Sequence, residues 1–221
     1  MQTGLRLYQA IIDQSQTLDI EFEVAASACE FSADLLMSCF GEPTREKPHD
    51  LYEILTRKRI NAISKFLDCS GFRVFLLADV FKWHDYRLIS SSSVFVVDKA
   101  QLEGKANEAA SYLRSVVQAN IFGSPEFIVE EFVAATWSKT LAEACTKVDV
   151  SYRKLLSWKN RVTTPGLGDL KEVRLIAEAM EMGTPIVMGS LGLLQRQDFL
   201  LHEELIDFEK ELNAALDVEI W

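Results

Sequence analysis

Hydrophobic residues recur at helical spacing along most of the chain, and this pattern predicts a mainly α-helical protein. Residues 5–40 are expected to form two helices, followed by a polar loop over 41–48 that contains two prolines. A further helix is predicted over 51–67, with Asp50 as its N-cap. The first third of the chain is therefore expected to be helical throughout, apart from one loop.

The middle of the chain is less regular. Residues 72–81 are mostly apolar and fit either a buried helix or a strand, whereas 94–97 follow four serines and favour a strand. The pattern therefore allows one small β-hairpin near 72–97. Residues 99–120 return to helical spacing, and the Gly-Ser-Pro sequence at 123–125 then breaks the chain and can start a new helix.

The most specific pattern lies within residues 144–181. A turn is expected at 149–150, and Ser151 can cap the helix that follows it. Leu155 and Trp158 stand three residues apart, which places both on the inner face of that helix. The pattern predicts a helix-turn-helix unit, in which the second of two short helices can lie in the major groove of DNA.

The second helix of this unit carries polar residues that can contact DNA. Cationic side chains bind phosphates or guanine edges, and an asparagine can pair with adenine. The residues predicted to contact DNA are Ser151, Arg153, Lys154, Ser157, Lys159, Asn160 and Arg161. An ordinary solvated helix face has the same composition, so both interpretations stay open at this point.

The same segment resembles the Cro/lambda-repressor (XRE-like) class of helix-turn-helix domain. The resemblance is carried by Cys145, Val150-Ser151, Leu155, Trp158, Pro165-Gly166-Leu167 and the Ile176–Met180 close of the next helix. It implies that the helix from Ser151 enters the major groove. This sequence has Asp149 and Arg161 at two positions where the pattern commonly has glycine.

Residues 25–40 are similar to a second type of DNA-reading unit, the TetR type. The similarity rests on Ala26, Phe31-Ser32, Leu36 and Phe40. The corresponding second helix, 32–39, contains Asp34 and no basic residue, so it would gain nothing from counterion release at phosphates. We interpret it as a packing helix.

Residue identities show no internal repeat along the chain.

Charge changes this picture, because the protein as a whole is acidic. Its net charge of −10 over 221 residues argues against a protein that coats nucleic acid generally. The cations are concentrated at 147–161, with five bases and one acid, whereas 178–221 has ten acids and two bases. Two functions remain: a DNA-binding transcriptional regulator, and an acidic helical adaptor or inhibitor that binds another protein.

Other chemistry finds little support in the sequence. Four scattered cysteines fit reduced thiols, and the three histidines lack metal-ligand spacing. No phosphate-binding loop or nucleophile motif is present, so we expect no enzyme activity, cofactor or metal. No apolar run approaches the ~18–20 residues of a membrane span, and no signal pattern opens the chain. The protein is expected in the cytoplasm, away from membranes.

Three regions follow from these patterns. Residues 1–122 are expected to sense a signal or to oligomerise, 123–183 to bind DNA, and 184–221 to dimerise or dock. The last region is predicted to contain one helix over 195–216, with apolar residues at alternating four-three spacing. These residues include Leu201, Leu205, Phe208 and Leu212. Such a seam can pack on its own domain or pair two copies, and a homodimer suits a palindromic DNA site.

Overall fold

The computed structural model describes residues 4–40, 51–81, 110–111, 113–119 and 121–219, and most of these residues are helical. The helices are α1 (Leu5–Thr17), α2 (Phe22–Ala28), α3 (Ala33–Phe40), α4 (Leu51–Ile54), α5 (Arg57–Phe66), α6 (Gly71–Leu77), α7 (113–119), α8 (Pro125–Ala135), α9 (Leu141–Val148), α10 (Tyr152–Lys159), α11 (Leu170–Ala179), α12 (Thr184–Ser190) and α13 (Phe208–Glu219). Strands β1 (Leu200–Leu201) and β2 (Glu204–Leu205) form one antiparallel hairpin. A mainly α protein with one small hairpin is thus confirmed.

The chain folds as two units. Unit 1 comprises Met1–Phe81 and Gln197–Ile206, and unit 2 comprises Lys82–Arg196 and Asp207–Trp221. These bounds differ from those of the three regions expected from the sequence. The sensing, dimerisation and docking roles attached to those regions stay predictions.

In unit 1, five short helices bury one face each in a common core. Helix α1 packs against α2, α3 and α6, and α5 packs against α2 and α6. The buried side chains come from every one of these helices: Leu7, Ile11, Ala25, Ala26, Leu36, Ile60, Ile63, Phe72 and Phe75. Because each helix is short, its stability comes mainly from this shared core.

Nine of the described helices end in the same way. The first or second residue after the helix adopts the left-handed conformation, and the next N–H donates back to a carbonyl five residues earlier, which satisfies an otherwise unpaired acceptor. In unit 1 the left-handed residues of this kind are Asp19, Glu30, Asp68 and Asp79. In unit 2 they are Trp137, Asp149, Arg161, Glu181 and Gly192. Each cap reverses the chain quickly and allows the next short helix to return to the core.

Unit 2 contains the same five-helix arrangement. Helix α8 packs against α9, α10, α11 and α12, α9 packs against α10 and α11, and α11 packs against α12. If α8, α9, α10, α11 and α12 are matched in order with α1, α2, α3, α5 and α6, each of these contacts other than that of α8 with α11 has its counterpart in unit 1. The fourth and fifth helices also have equal lengths in both units, ten and seven residues. The chain therefore contains a structural repeat that residue identities do not reveal.

The hairpin segment is held on unit 1 by a buried carboxylate. Asp198 is only 3% exposed, and its Oδ1 accepts a hydrogen bond from Arg57 Nη1 at 2.6 Å. Phe199 packs its ring 5.6 Å from that of Phe72, centroid to centroid. A Cβ added at Gly71 would lie 2.5 Å from Asp198 Oδ1, closer than atoms can approach. Glycine at the start of α6 is therefore what allows this carboxylate to approach.

Two N-terminal predictions were wrong in the number of helices. Residues 5–40 form three helices rather than two, because Asp19 and Glu30 each introduce a left-handed cap. The predicted helix 51–67 is divided into α4 and α5, because Thr56 is extended and its Oγ1 accepts a hydrogen bond from Arg59 N–H. Asp50 and the predicted loop 41–48 lie outside the described residues.

The observed hairpin lies at 200–205, outside the region 72–97 where the sequence allows one. Residues 71–77 are the helix α6, with Ser70 as its N-cap, and 94–97 lie outside the described residues. The observed hairpin interrupts the predicted helix 195–216, which is wrong over its first half. His202 and Glu203 both have positive φ, as a two-residue hairpin turn between right-twisted strands requires.

The predicted dimerisation seam does not form on one helix. Leu201 lies in β1 and Leu205 in β2, where Leu205 is 39% exposed. Phe208 and Leu212, on α13, are already buried. Leucines four apart have helical spacing, but here they lie on the two strands of the hairpin, where Leu205 pairs with Leu200 and Leu201 with Glu204. Within the described ranges no helix is long and apolar enough to cross a membrane.

Substitution of Gly71 by Ala is expected to destabilise unit 1, because the new methyl group collides with the fixed Asp198 carboxylate. The free energy of unfolding should fall by about 1–3 kcal/mol. The matched control is Gly166→Ala, where an added Cβ meets nothing within 4 Å. Urea denaturation followed by circular dichroism measures both, and equal midpoints for the two variants would contradict the proposed contact.

Candidate nucleic-acid interface

The turn between α9 and α10 lies where the sequence predicts it. Asp149 has φ 59° and ends α9, and the Val150 N–H donates to the Cys145 carbonyl at 3.0 Å. Ser151 is extended, and its Oγ accepts a hydrogen bond from the Lys154 N–H at 3.4 Å, which caps α10. Asp tolerates the left-handed conformation better than most residues, so it can replace the glycine of the family pattern.

The inner face of α10 fixes the crossing of the two helices. Leu155 is fully buried and Trp158 is 3% exposed, as predicted, and Val150 in the turn is buried as well. Cys145 of α9 is also buried, and burial raises the pKa of its thiol. The thiol is therefore a packing group that stays protonated at neutral pH. A nucleophilic cysteine would instead need to be a thiolate.

Helix α9 is tied to the end of α8 at its other side. Thr140 caps α9, with its Oγ1 accepting from the Glu143 N–H at 3.2 Å. Lys147 Nζ donates to the carbonyls of Thr136 and Trp137 at 3.0 and 3.2 Å, which satisfies acceptors at the C-terminal end of α8. The α9–α10 pair is thus held at three points, its turn, its core and the end of α8.

The predicted contact residues lie in different environments. Arg153 and Asn160 are exposed, and the Arg153 side chain makes no hydrogen bond or ion pair with any described residue. Ser151 is exposed, but its hydroxyl is used by the cap. Ser157 Oγ shares a hydrogen bond with Thr163 Oγ1 at 2.8 Å, which links α10 to the following loop.

Lys154 is held by two carboxylates. Its Nζ lies 2.7 Å from Asp169 Oδ1 and 2.6 Å from Glu172 Oε1, at the start of α11. The hydrogen bonds to Asp169 and then to Glu172 raise the pKa of Lys154 above its usual range. A DNA phosphate would have to compete with two negative charges for this cation.

Arg161 is engaged in the same way at the other end of α10. Its Nε and Nη2 lie 3.0 and 3.2 Å from the two carboxylate oxygens of Glu126, and Nη2 also donates to the Gly123 carbonyl. The hydrogen bond from Arg161 lowers the pKa of Glu126, and the nearby charge of Lys159 lowers it further. Arg161 has φ 55°, so it supplies the left-handed residue that glycine supplies in the family pattern.

Sequence reasoning missed one exposed residue and three partners. Tyr152, the first residue of α10, is 43% exposed, and its place directly after the cap could have identified it. The carboxylates of Glu126, Asp169 and Glu172 come from segments 15–35 residues away from their cations. No signal in the local pattern of α10 indicates them.

No cluster of three histidine, cysteine or acidic side chains that could hold a metal ion occurs among the residues described. Comparisons of the chain with protein-family models, with curated proteins and with solved structures found no match. The character of this interface therefore rests on its own geometry.

Two tryptophans test the inner face of α10. Trp158→Ala should lower the free energy of unfolding by about 3–5 kcal/mol, because it leaves a cavity between α10 and its neighbours. Trp137→Ala is the control of the same residue type, because that side chain is 92% exposed and its removal leaves no buried cavity. Guanidinium denaturation measures the pair, and a loss for Trp137→Ala as large as that for Trp158→Ala would contradict the assignment.

Proposed function

We propose that the protein is a DNA-binding transcriptional regulator of the cytoplasm, and that α10 reads the major groove. The observation that carries the proposal is the division of α10 into two faces. Leu155 and Trp158 are buried, while the N-terminal residues Tyr152 and Arg153 are open to solvent. In helix-turn-helix proteins the N-terminal residues of the second helix contact base edges.

The exposed residues have suitable chemistry for this role. Arg153 can form two hydrogen bonds with a guanine edge or bind a phosphate, and Asn160 can pair with adenine or bind the backbone. The Tyr152 ring can make apolar contact with a thymine methyl group. Ser157 and Ser151 are already hydrogen-bonded within the protein and contribute less.

The ion pairs limit how much affinity phosphate contacts can supply. Because Lys154 and Arg161 are neutralised by acidic partners, Arg153 and Lys159 are the cations of α10 left for phosphates. Two phosphate contacts correspond to a log–log salt slope of about −1.8 for each bound chain. We expect weak general binding, with affinity concentrated at specific sites or in a homodimer that binds two half-sites. A homodimer would have to use a surface other than the predicted seam.

A second candidate is an acidic adaptor or inhibitor that binds another protein. The specific observation in its favour is that Lys154 and Arg161 are already paired with carboxylates of the same unit. In that case α10 packs as a structural helix, and removal of its cations would leave partner binding unchanged.

Replacement of Arg153 by Ala should weaken DNA binding. If Arg153 contacts a phosphate, the magnitude of the salt slope should fall by about 0.9. If Arg153 reads a base, the sequence preference should relax instead. The measurement is a salt titration of fluorescence anisotropy with sites selected from pooled genomic DNA. Lys65→Ala is the matched control, because it removes one exposed cation from α5 of unit 1. The proposal fails if both variants bind as the parent does.

A further inference from the structure

The α2–α3 pair repeats the turn geometry of α9–α10. Glu30 has φ 62° where Asp149 has φ 59°. The Phe31 N–H donates to the Ala26 carbonyl at 2.9 Å, and Ser32 Oγ accepts from the Leu35 N–H at 3.2 Å. These bonds match those of Val150 and Ser151 described above, at an offset of 119 residues in the sequence.

Burial also matches at five positions of the two pairs, although Cys29 is buried and its equivalent Val148 is half-buried. Residues at equivalent places of the two pairs are buried in both units. These are Ala25 with Ala144, Ala26 with Cys145, Phe31 with Val150, Leu36 with Leu155, and Cys39 with Trp158. The two pairs therefore present equivalent outer faces on equivalent backbones.

The outer faces differ in charge. Where α9 and α10 have Lys147, Arg153 and Lys154, the equivalent positions of α2 and α3 hold Ala28, Asp34 and Leu35. Residues 19–40 contain five acids and no base, whereas 138–161 contain six bases and two acids. Lys58 of α5 pairs with Glu30 at the turn, with its Nζ 2.8 Å from Glu30 Oε2, but α2 and α3 themselves offer a phosphate no cation.

The α2–α3 face also exposes apolar surface. Val24 and Met37 are 52% and 45% exposed, and the exposed Asp34 has no ion pair with the described residues. On the α9–α10 face, Tyr152 is 43% exposed. Its neighbour Arg153 also lacks an ion-pair partner among the described residues. Each face thus combines an exposed apolar side chain with a charge that has no ion-pair partner among the described residues, and the two charges have opposite signs.

We infer that the α2–α3 face of one molecule binds the α9–α10 face of a second copy of this chain. Complementary charge on the two faces brings them together and sets their register, and the apolar side chains of Val24, Met37 and Tyr152 lose water on contact. Both surfaces of this contact are present in the chain itself. The contact does not depend on DNA binding, although it covers the same cations.

The symmetry of this contact determines what assembly it gives. Two different patches meet, so the contact is head-to-tail rather than isologous. Such contacts continue from copy to copy unless a ring closes. We therefore expect an average mass that rises with concentration above the 25.0 kDa of one chain, and that falls as salt screens the charges.

A charge exchange tests the contact directly, by sedimentation equilibrium of the full chain without DNA at about 50 mM and about 500 mM salt. Asp34→Arg and Arg153→Asp should each weaken self-association at least about tenfold, because like charges then face each other. The double variant, with both changes in one chain, should recover it. Glu178→Arg is the matched control, because it makes the same change of charge at an exposed position of α11.

Every outcome decides the inference. Recovery in the double variant supports it, since two independent surface defects would add rather than cancel. A single 25.0 kDa species at all concentrations overturns it, as does equal weakening by Glu178→Arg. Should Asp34→Arg fail to fold by circular dichroism, Asp34→Asn gives the same test with a smaller effect. Loss of DNA binding without loss of self-association would leave this inference standing and remove the proposed function.

Discussion

The left-handed residue at the end of nine of the described helices is the constraint on which the rest of the structure depends. A helix of seven or eight residues is unstable alone, so each must return to the core at once. The cap makes this return possible, because the following N–H closes a bond across the last turn and places an apolar residue inward. Phe31 and Val150 are such residues. At most of these ends the left-handed residue is acidic or basic rather than glycine, so the caps leave charge at the surface where the chain turns.

The sequence predicted some elements well, and its errors have physical causes. The turn before α10 was predictable because a cap, a leucine and a tryptophan occur at fixed spacing. The break at Glu30 was not, since a charged residue with positive φ has no distinct signal. The hairpin at 200–205 was taken for helix because Leu201 and Leu205 are four apart, and only the contact of Asp198 with Arg57, 141 residues away, explains the break. Such distant contacts leave no mark on local periodicity.

The repeat of the two units stayed hidden for a related reason. What the units share is the position of caps and of buried residues, and these positions accept different side chains, such as Cys39 in one unit and Trp158 in the other. What differs is the exposed face, where Asp34 replaces Arg153. The sequence therefore names candidate contact residues of α10, but it gives no sign of the carboxylates that pair with Lys154 and Arg161. Their pairing depends on how α8 and α11 pack around α10, which is a property of the folded core.

A duplicated backbone with opposite faces changes the meaning of the acidic net charge. Averaged over the chain, −10 argues against general coating of nucleic acid. Much of that negative charge lies on segments other than α10. One of these segments, the α2–α3 pair, has the backbone geometry of α9–α10 but carries no cation. An acidic face on such a backbone can compete with phosphate for the same Arg153, because each offers negative charge to one exposed guanidinium. Both interactions weaken as salt rises, but only binding to DNA releases condensed counterions. The salt dependence of the two interactions therefore differs in slope, and this difference separates a surface that meets DNA from one that meets a second copy.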